Sequence, residues 1–254
     1  MTILGEPTGT IEWSVDGEQF DVEWAMVTDV GHKREINEDS AVVAAPVFAV
    51  ADGMGGHEAG EVASKCVVER LSELGDQRVG EDEVVTALRG AVTDLVDSGV
   101  DSGSGTTVTG VVLNDVVPEA EVFNVGDSRV YLFRNDVVVQ ITKDHSVVQE
   151  LIDAGQLSVD DAETHPHSNV ITRAVGLYDD PVPDFVRIGV QTGDRLLICT
   201  DGLTKELTHY GISHYMNAET EPQAVANALL NAALENGGRD NVTIIVLSFT
   251  ARTA

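Results

Sequence analysis

Positive charge is scarce in this chain: 15 Lys and Arg stand against 43 Asp and Glu over 254 residues, a formal net charge of −28. That balance excludes nucleic-acid binding through a basic face, and it repels phosphorylated ligands unless a site carries its own cations, from an arginine or from a metal. Cysteine is nearly absent too. Cys66 and Cys199 lie far apart, one in a helical and one in a strand pattern, and read as buried free thiols rather than as a disulfide or a redox pair. No stretch approaches the ~20 apolar residues of a membrane helix, and the N-terminus is acidic where a signal peptide would be basic. The expectation is a cytoplasmic protein with no membrane partner, consistent with a chain that stops soon after its last strand pattern.

The signatures of several chemistries are missing as well. The glycine-rich stretch "FAVADGMGGHEAG" (48–60) has no following Lys, as a nucleotide-binding P-loop would require. There is no EF-hand loop and no His/Cys set for zinc, since His57, His165 and His167 are scattered among other residue types. A cysteine-phosphatase loop needs five residues between Cys and Arg, but Arg70 follows Cys66 by only four positions. No repeat or low-complexity linker divides the chain, and 43% hydrophobic residues suffice for a sizeable core.

What is present is a layered pattern. Apolar residues recur at helical spacing over 58–74 and 81–97, with acids in the first turns, and again over 221–238 with a glycine stop. Val-, Phe-, Thr- and Tyr-rich runs from 105 to 142, punctuated by Gly-Asp and Asn-Asp, predict an antiparallel meander with tight turns. Residues 146–169 read as a helix followed by a polar, mobile loop, and 194–202 and 240–249 as further strands. Helices bunched around a central run of strands, without regular β-α-β alternation, predict a layered α+β fold in one domain spanning 23–254, with residues 1–22 as a weakly patterned extension.

Three segments share one layout. "VFAVADG", "RLLICTDG" and "VFNVGDS" each run apolar residues into an acid flanked by glycine, which places Asp52, Asp201 and Asp127 at strand mouths. Asp240 stands at the entrance of the last strand, and in an antiparallel sheet that entrance can lie at the same end. A single Asp-Gly reads first as a turn. Repeated beside core-like runs, the acids read as a cluster, and clustered carboxylates require a cation to remain ionised. Oxygen-only donors suit Mg²⁺ or Mn²⁺. In "TDVGHKREINEDS" (28–40), Lys33 and Arg34 precede Glu38 and Asp39, and the planar fork of Arg34 is the candidate phosphate clamp.

With these residues in place, the chain resembles bacterial members of the metal-dependent protein phosphatase family (PPM, type 2C). The matching pieces, in order, are "TDVGHKREINEDS", "VADGMGGHEAGEVAS", "SGTTVTGVVL", "NVGDSRVYLFR", "TKDHSVVQELIDAGQLS", "HPHSNVITRAVG", "CTDGLT" and "GGRDNVT", across roughly residues 24–250. The resemblance implies a four-layer α-β-β-α sandwich of two antiparallel sheets flanked by helices, with two Mn²⁺ or Mg²⁺ ions in a cleft at one end. It implies that Asp52 bridges both ions, that Asp201 and Asp240 complete the first site, and that the Gly53 carbonyl contributes to the second. Glu38 and Asp39 would hold or orient waters on the ions, and Arg34 would grip the phosphate. Asp127 matches the acid that, with Asp201, supports a third, weaker ion. Residues 144–172 match a flap beside the cleft.

The implied activity is hydrolysis of phosphoserine and phosphothreonine in protein substrates by a monomer that opposes bacterial Ser/Thr kinases. A water bridging two ions loses much of its pKa, so no covalent nucleophile is needed. The alternative is a catalytically silent relative that uses the cleft as a regulatory binding module. Two departures stand out. Met54 follows Asp-Gly where eukaryotic relatives place a His, so the general acid is unassigned, with His57 near in sequence. Lys205 stands where many members carry a second acid, which weakens the expectation of a third ion.

Overall fold

The computed structural model describes residues 1–55, 58–75, 78–99, 103–162, 165–177 and 180–252. In chain order the elements are β1 (Thr2–Gly5), β2 (Thr8–Val15), β3 (Glu18–Asp29), β4 (Asp39–Ala44), β5 (Val47–Met54), α1 (Glu58–Ser72), α2 (Glu81–Asp97), β6 (Gly105–Thr106), β7 (Val108–Leu113), β8 (Glu119–Val125), β9 (Arg129–Arg134) and β10 (Val137–Gln140). They continue with α3 (Val147–Asp153), α4 (Val159–Ala162), β11 (Asp184–Gly189), β12 (Arg195–Cys199), α5 (Asp201–Thr204), α6 (His209–Ala218), α7 (Pro222–Asn236) and β13 (Val242–Ala251).

The strands form two sheets, in the orders β1-β4-β5-β7-β8-β11, with β6 paired to the end of β5, and β10-β9-β12-β13-β3-β2. Side-chain alternation builds the layers. In β5, Phe48 and Val50 face the core shared by the two sheets, while Val47, Ala49 and Ala51 pack under α1 and α2. In β13, Ile245, Leu247 and Phe249 join the shared core, and Ile244 and Val246 pack under α6 and α7. The α7 face that covers them repeats at helical spacing through Val225, Ala226, Leu229, Ala232 and Ala233, all buried. The result is the expected α+β sandwich of two sheets between helices. Both cysteines are buried and free, and burial pushes the Cys199 thiol up to about 12. No described helix is long and apolar enough to cross a membrane.

Two features depart from the sequence reading. The first sheet is not wholly antiparallel, because β1 runs parallel to β4. Residues 1–22, set apart above as an extension, supply β1, β2 and the start of β3, and they place Trp13, Val15, Phe20 and Val22 in the shared core. In β2 Thr8, Thr10, Glu12 and Ser14 face outward and Ile11, Trp13 and Val15 inward, but Gly9 leaves the inward face with only three apolar side chains, a short signal. The turn chemistry was there. Asp16 and Gly17, at φ 50° and 80°, form the two-residue loop between β2 and β3, and Asn135 and Asp136, at 52° and 63°, do the same between β9 and β10.

Candidate metal centre

The acids converge where the two sheets end together. Asp39 opens β4 and pairs in register with Asp52 near the end of β5. Asp201 follows β12 as the first residue of α5, Asp240 lies two residues before β13, and Asp127 sits in the turn between β8 and β9. The glycines after Asp52 and Asp201 have a steric reason. A Cβ on Gly53 would lie 2.1 Å from the Gly60 carbonyl oxygen, and one on Gly202 would lie 2.0 Å from that of Asn241. These Asp-Gly pairs are close approaches between chain segments, not hairpin turns. Gly53 and Gly60 thereby lie against Glu38, and α5 touches the Asp240 loop.

Asp39 is fully buried, and one of its oxygens joins the sheets. Oδ2 accepts from Thr200 Oγ1, just past β12, at 3.0 Å and from Thr243 Oγ1, on β13, at 2.6 Å, so it reaches the opposite sheet, while Oδ1 has no partner. Thr243 is met in turn by Thr28 Oγ1 at 2.9 Å, which accepts from Asn37 Nδ2 at 2.9 Å. Burial raises the Asp39 carboxyl to about 7, against the pull of the two threonines and with help from Asp201 and Asp240. Asp52 keeps some surface open to the cleft, yet burial first, then repulsion from Asp201, Asp39, Asp127 and Asp240, raises it well above the ordinary range. Asp127 is raised to about 7, by burial, Asp201 and Asp144. Asp201 Oδ1 is buried without a partner.

Resident cations already answer part of this charge. Arg34 grips Asp240 with both arms of its fork, Nε to Oδ1 at 2.7 Å and Nη2 to Oδ2 at 2.9 Å. Lys205 Nζ lies 2.5 Å from Asp201 Oδ2 and 3.2 Å from Asp240 Oδ2. Burial alone would raise Asp240, but Lys205 and Arg34 outweigh it and hold the carboxyl below its usual value. Among the described residues, no three His, Cys, Asp or Glu stand together as a ready ion cage. The donor set still fits hard divalent ions. It consists of oxygens, two of them buried and unpartnered on Asp39 and Asp201, around an Asp52 that cannot ionise cheaply without a cation. His57 lies outside the described residues.

Residues 32–235 match the family described as Protein phosphatase 2C. The chain belongs to this family. Within the phosphatase 2C family, it is 34% identical over 236 residues to the serine/threonine phosphatase stp of Listeria innocua, covering 87% of this chain and 93% of that relative. It is 36% identical over 230 residues to the serine/threonine protein phosphatase PstP of Mycobacterium tuberculosis, covering 88% of this chain but only 44% of that longer protein. The crystal structure of the M. tuberculosis phosphatase PstP/Ppp superposes with a TM-score of 0.83 at 34% identity, covering 90% of this chain and 99% of that one. A catalytic domain of PstP in complex with two manganese ions superposes at 0.82 with 33% identity, covering 91% and 99%.

Against this family background, the structure also shows residues that sequence reasoning passed over. Asn241 is buried and ties down the whole 30–38 loop: Nδ2 donates to the carbonyls of Val30 and Ile36 at 3.0 and 2.9 Å, and Oδ1 accepts from the Glu38 N–H at 2.8 Å. Asn37 Oδ1 accepts from the Asp39 N–H at 3.1 Å. Ser128 and Thr107 share a 2.8 Å hydrogen bond that couples the Asp127 turn to the strand beside Asp52, whose N–H donates to Thr107 Oγ1 at 3.2 Å. The motif "GGRDNVT" contained Asn241, but its partners lie about two hundred residues away, so no local pattern announced them.

Proposed function

We propose that this phosphatase 2C family chain is a metal-dependent protein serine/threonine phosphatase that hydrolyses phosphoserine and phosphothreonine in proteins and opposes bacterial Ser/Thr kinases. The observation that carries the reading is Asp52, pressed by four other aspartates in a recess built of oxygen donors. A pair of Mn²⁺ or Mg²⁺ ions, when bound, would supply Lewis acidity toward the phosphoryl oxygens and a water of lowered pKa. Asp52, Asp201, Asp240 and the Gly53 carbonyl would hold that pair, and Asp127 with Asp201 a third, weaker ion. Glu38 would orient water, and Asp39, fixed by Thr200 and Thr243, would present its open oxygen at a constant height above Asp52.

Arg34 reaches the mouth of the site half-exposed and would exchange the Asp240 carboxylate for two phosphate oxygens, the same planar bidentate geometry serving both. In the overall reaction a water oxygen replaces the Ser or Thr oxygen on phosphorus, and the alcohol leaves with a proton. The remaining negative surface disfavours phosphate elsewhere on the molecule.

The test is Mn²⁺-dependent hydrolysis of a phosphothreonine peptide and of an aryl phosphate. The wild-type chain should turn over both, and Asp52→Asn should lose activity with its thermal unfolding still cooperative. An active Asp52→Asn variant would refute the metal assignment. A wild-type chain inert toward both substrates at saturating Mn²⁺ would favour the silent binding module.

A further inference from the structure

We propose that Lys205 is a resident counter-ion of this carboxylate cluster, holding the space between Asp201 and Asp240 in the metal-free protein and giving it up when a divalent ion binds. The inference rests on the reading above that these two carboxylates ligate one ion.

Lys205 caps the C-terminal end of α5, four residues after Asp201, and its backbone N–H donates to the Asp201 carbonyl at 2.8 Å. From there the side chain turns back along the helix, so that one ammonium meets one oxygen of each acid, at 2.5 and 3.2 Å. Its backbone is fixed independently: Arg239 Nη2 donates to the Lys205 carbonyl at 3.0 Å, and Arg239 Nε and Nη2 also engage Glu206. In a chain with 15 Lys and Arg, placing one of them between two recessed acids is a costly use of a rare residue.

An ammonium and a Mn²⁺ ion cannot both take the facing oxygens of Asp201 and Asp240. Divalent ions approach carboxylate oxygens to ~2.0–2.2 Å, well inside the distances Lys205 keeps. If the ammonium moved only slightly, it would remain beside a doubly charged ion. A unit charge about 5 Å from a divalent ion weakens binding by about tenfold even with the screening of water. Lys205 therefore stabilises the metal-free cleft and lowers its affinity for the first ion. It sets the metal concentration at which the site fills.

The test is calorimetric titration of Mn²⁺ into chelator-stripped protein, with thermal melting of the metal-free forms. Lys205→Met removes the charge at similar length, Lys205→Gln keeps a polar tip, and Lys205→Arg keeps the charge. Both neutral variants should bind Mn²⁺ about tenfold tighter and melt lower than wild type when metal-free, while Lys205→Arg should bind no tighter than wild type. Two neutral variants bound equally or more weakly would overturn the inference, provided Asp52→Asn abolishes the wild-type heat of binding. If Asp52→Asn binds Mn²⁺ as wild type does, the metal reading itself fails.

Discussion

Replacing Asn241 by Ala isolates what holds the 30–38 loop in place. The side chain supplies three hydrogen bonds at 2.8–3.0 Å to backbone groups of Val30, Ile36 and Glu38, and nothing else described bonds those groups in its stead. Each such bond contributes about 1 kcal/mol net, and the two carbonyls lie near enough to the surface for water to recover part of the loss. The expected destabilisation is therefore about 2–3 kcal/mol, which at this chain length lowers Tm by about 5–10 °C. Urea unfolding of metal-free protein, followed by circular dichroism, should show a lower midpoint at unchanged slope. Because the same loop carries Arg34 and Glu38, kcat/KM for an aryl phosphate at saturating Mn²⁺ should fall by at least about tenfold. Asn241→Asp, which keeps the acceptor for Glu38 but loses both donors, should fall between Ala and wild type in activity only if the Glu38 bond dominates. A destabilisation below about 0.5 kcal/mol, with kcat/KM intact, would show that the loop holds itself and refute the reasoning.

Gly202→Ala should cost about 2–3 kcal/mol in the same urea assay, because its Cβ would meet the Asn241 carbonyl at 2.0 Å with only backbone to give way; a loss under about 0.5 kcal/mol would mean the two segments separate freely. Arg34→Ala at saturating Mn²⁺ should raise KM by about tenfold with a smaller change in kcat, and Arg34→Lys should not restore it, since one ammonium cannot replace a fork. For the metal-free protein, Asp39 and Asp127 titrate near 7 when folded and near 3.8 when unfolded, so between those values the folded state binds more protons. The stability these two groups contribute should accordingly be full at the acid end of that window, fall as pH rises, and be lost above about 7. A metal-free chain whose urea midpoint rises from pH 5 to pH 7.5 would contradict the origin assigned to these shifts.

The sequence made the layers legible because continuous apolar runs and helical spacing are local signals, carried by Val47–Ala51 and by Val225–Ala233 within single elements. The convergence of Asp52, Asp127, Asp201 and Asp240 was legible for a related reason, since each acid ends or opens an apolar run and strand direction does the rest, whereas Asp39 was reached only through the family resemblance. The first 22 residues were not, because β2 earns its place through pairing with β3 and the docking of Trp13 against Phe20 and Phe249. Nor were the ties made by Asn241, Thr200 and Thr243, which depend on which strands become neighbours. The position of Lys205 was visible as a departure from the family pattern, but its reach to Asp240 depends on the loop that Gly202 allows to come close.

The hydrogen bonds from Thr200 and Thr243 to Asp39 carry a consequence for recombination. They rivet one leaf of the sandwich to the other at the reactive end, and the three residues are spread across most of the chain. A chimera joining the first leaf of one homologue to the second leaf of another must therefore carry matched partners at all three positions. Because strands of the two leaves alternate along the chain, a crossover that mismatches these positions would sever a contact that helps to set the spacing of the leaves at the cleft.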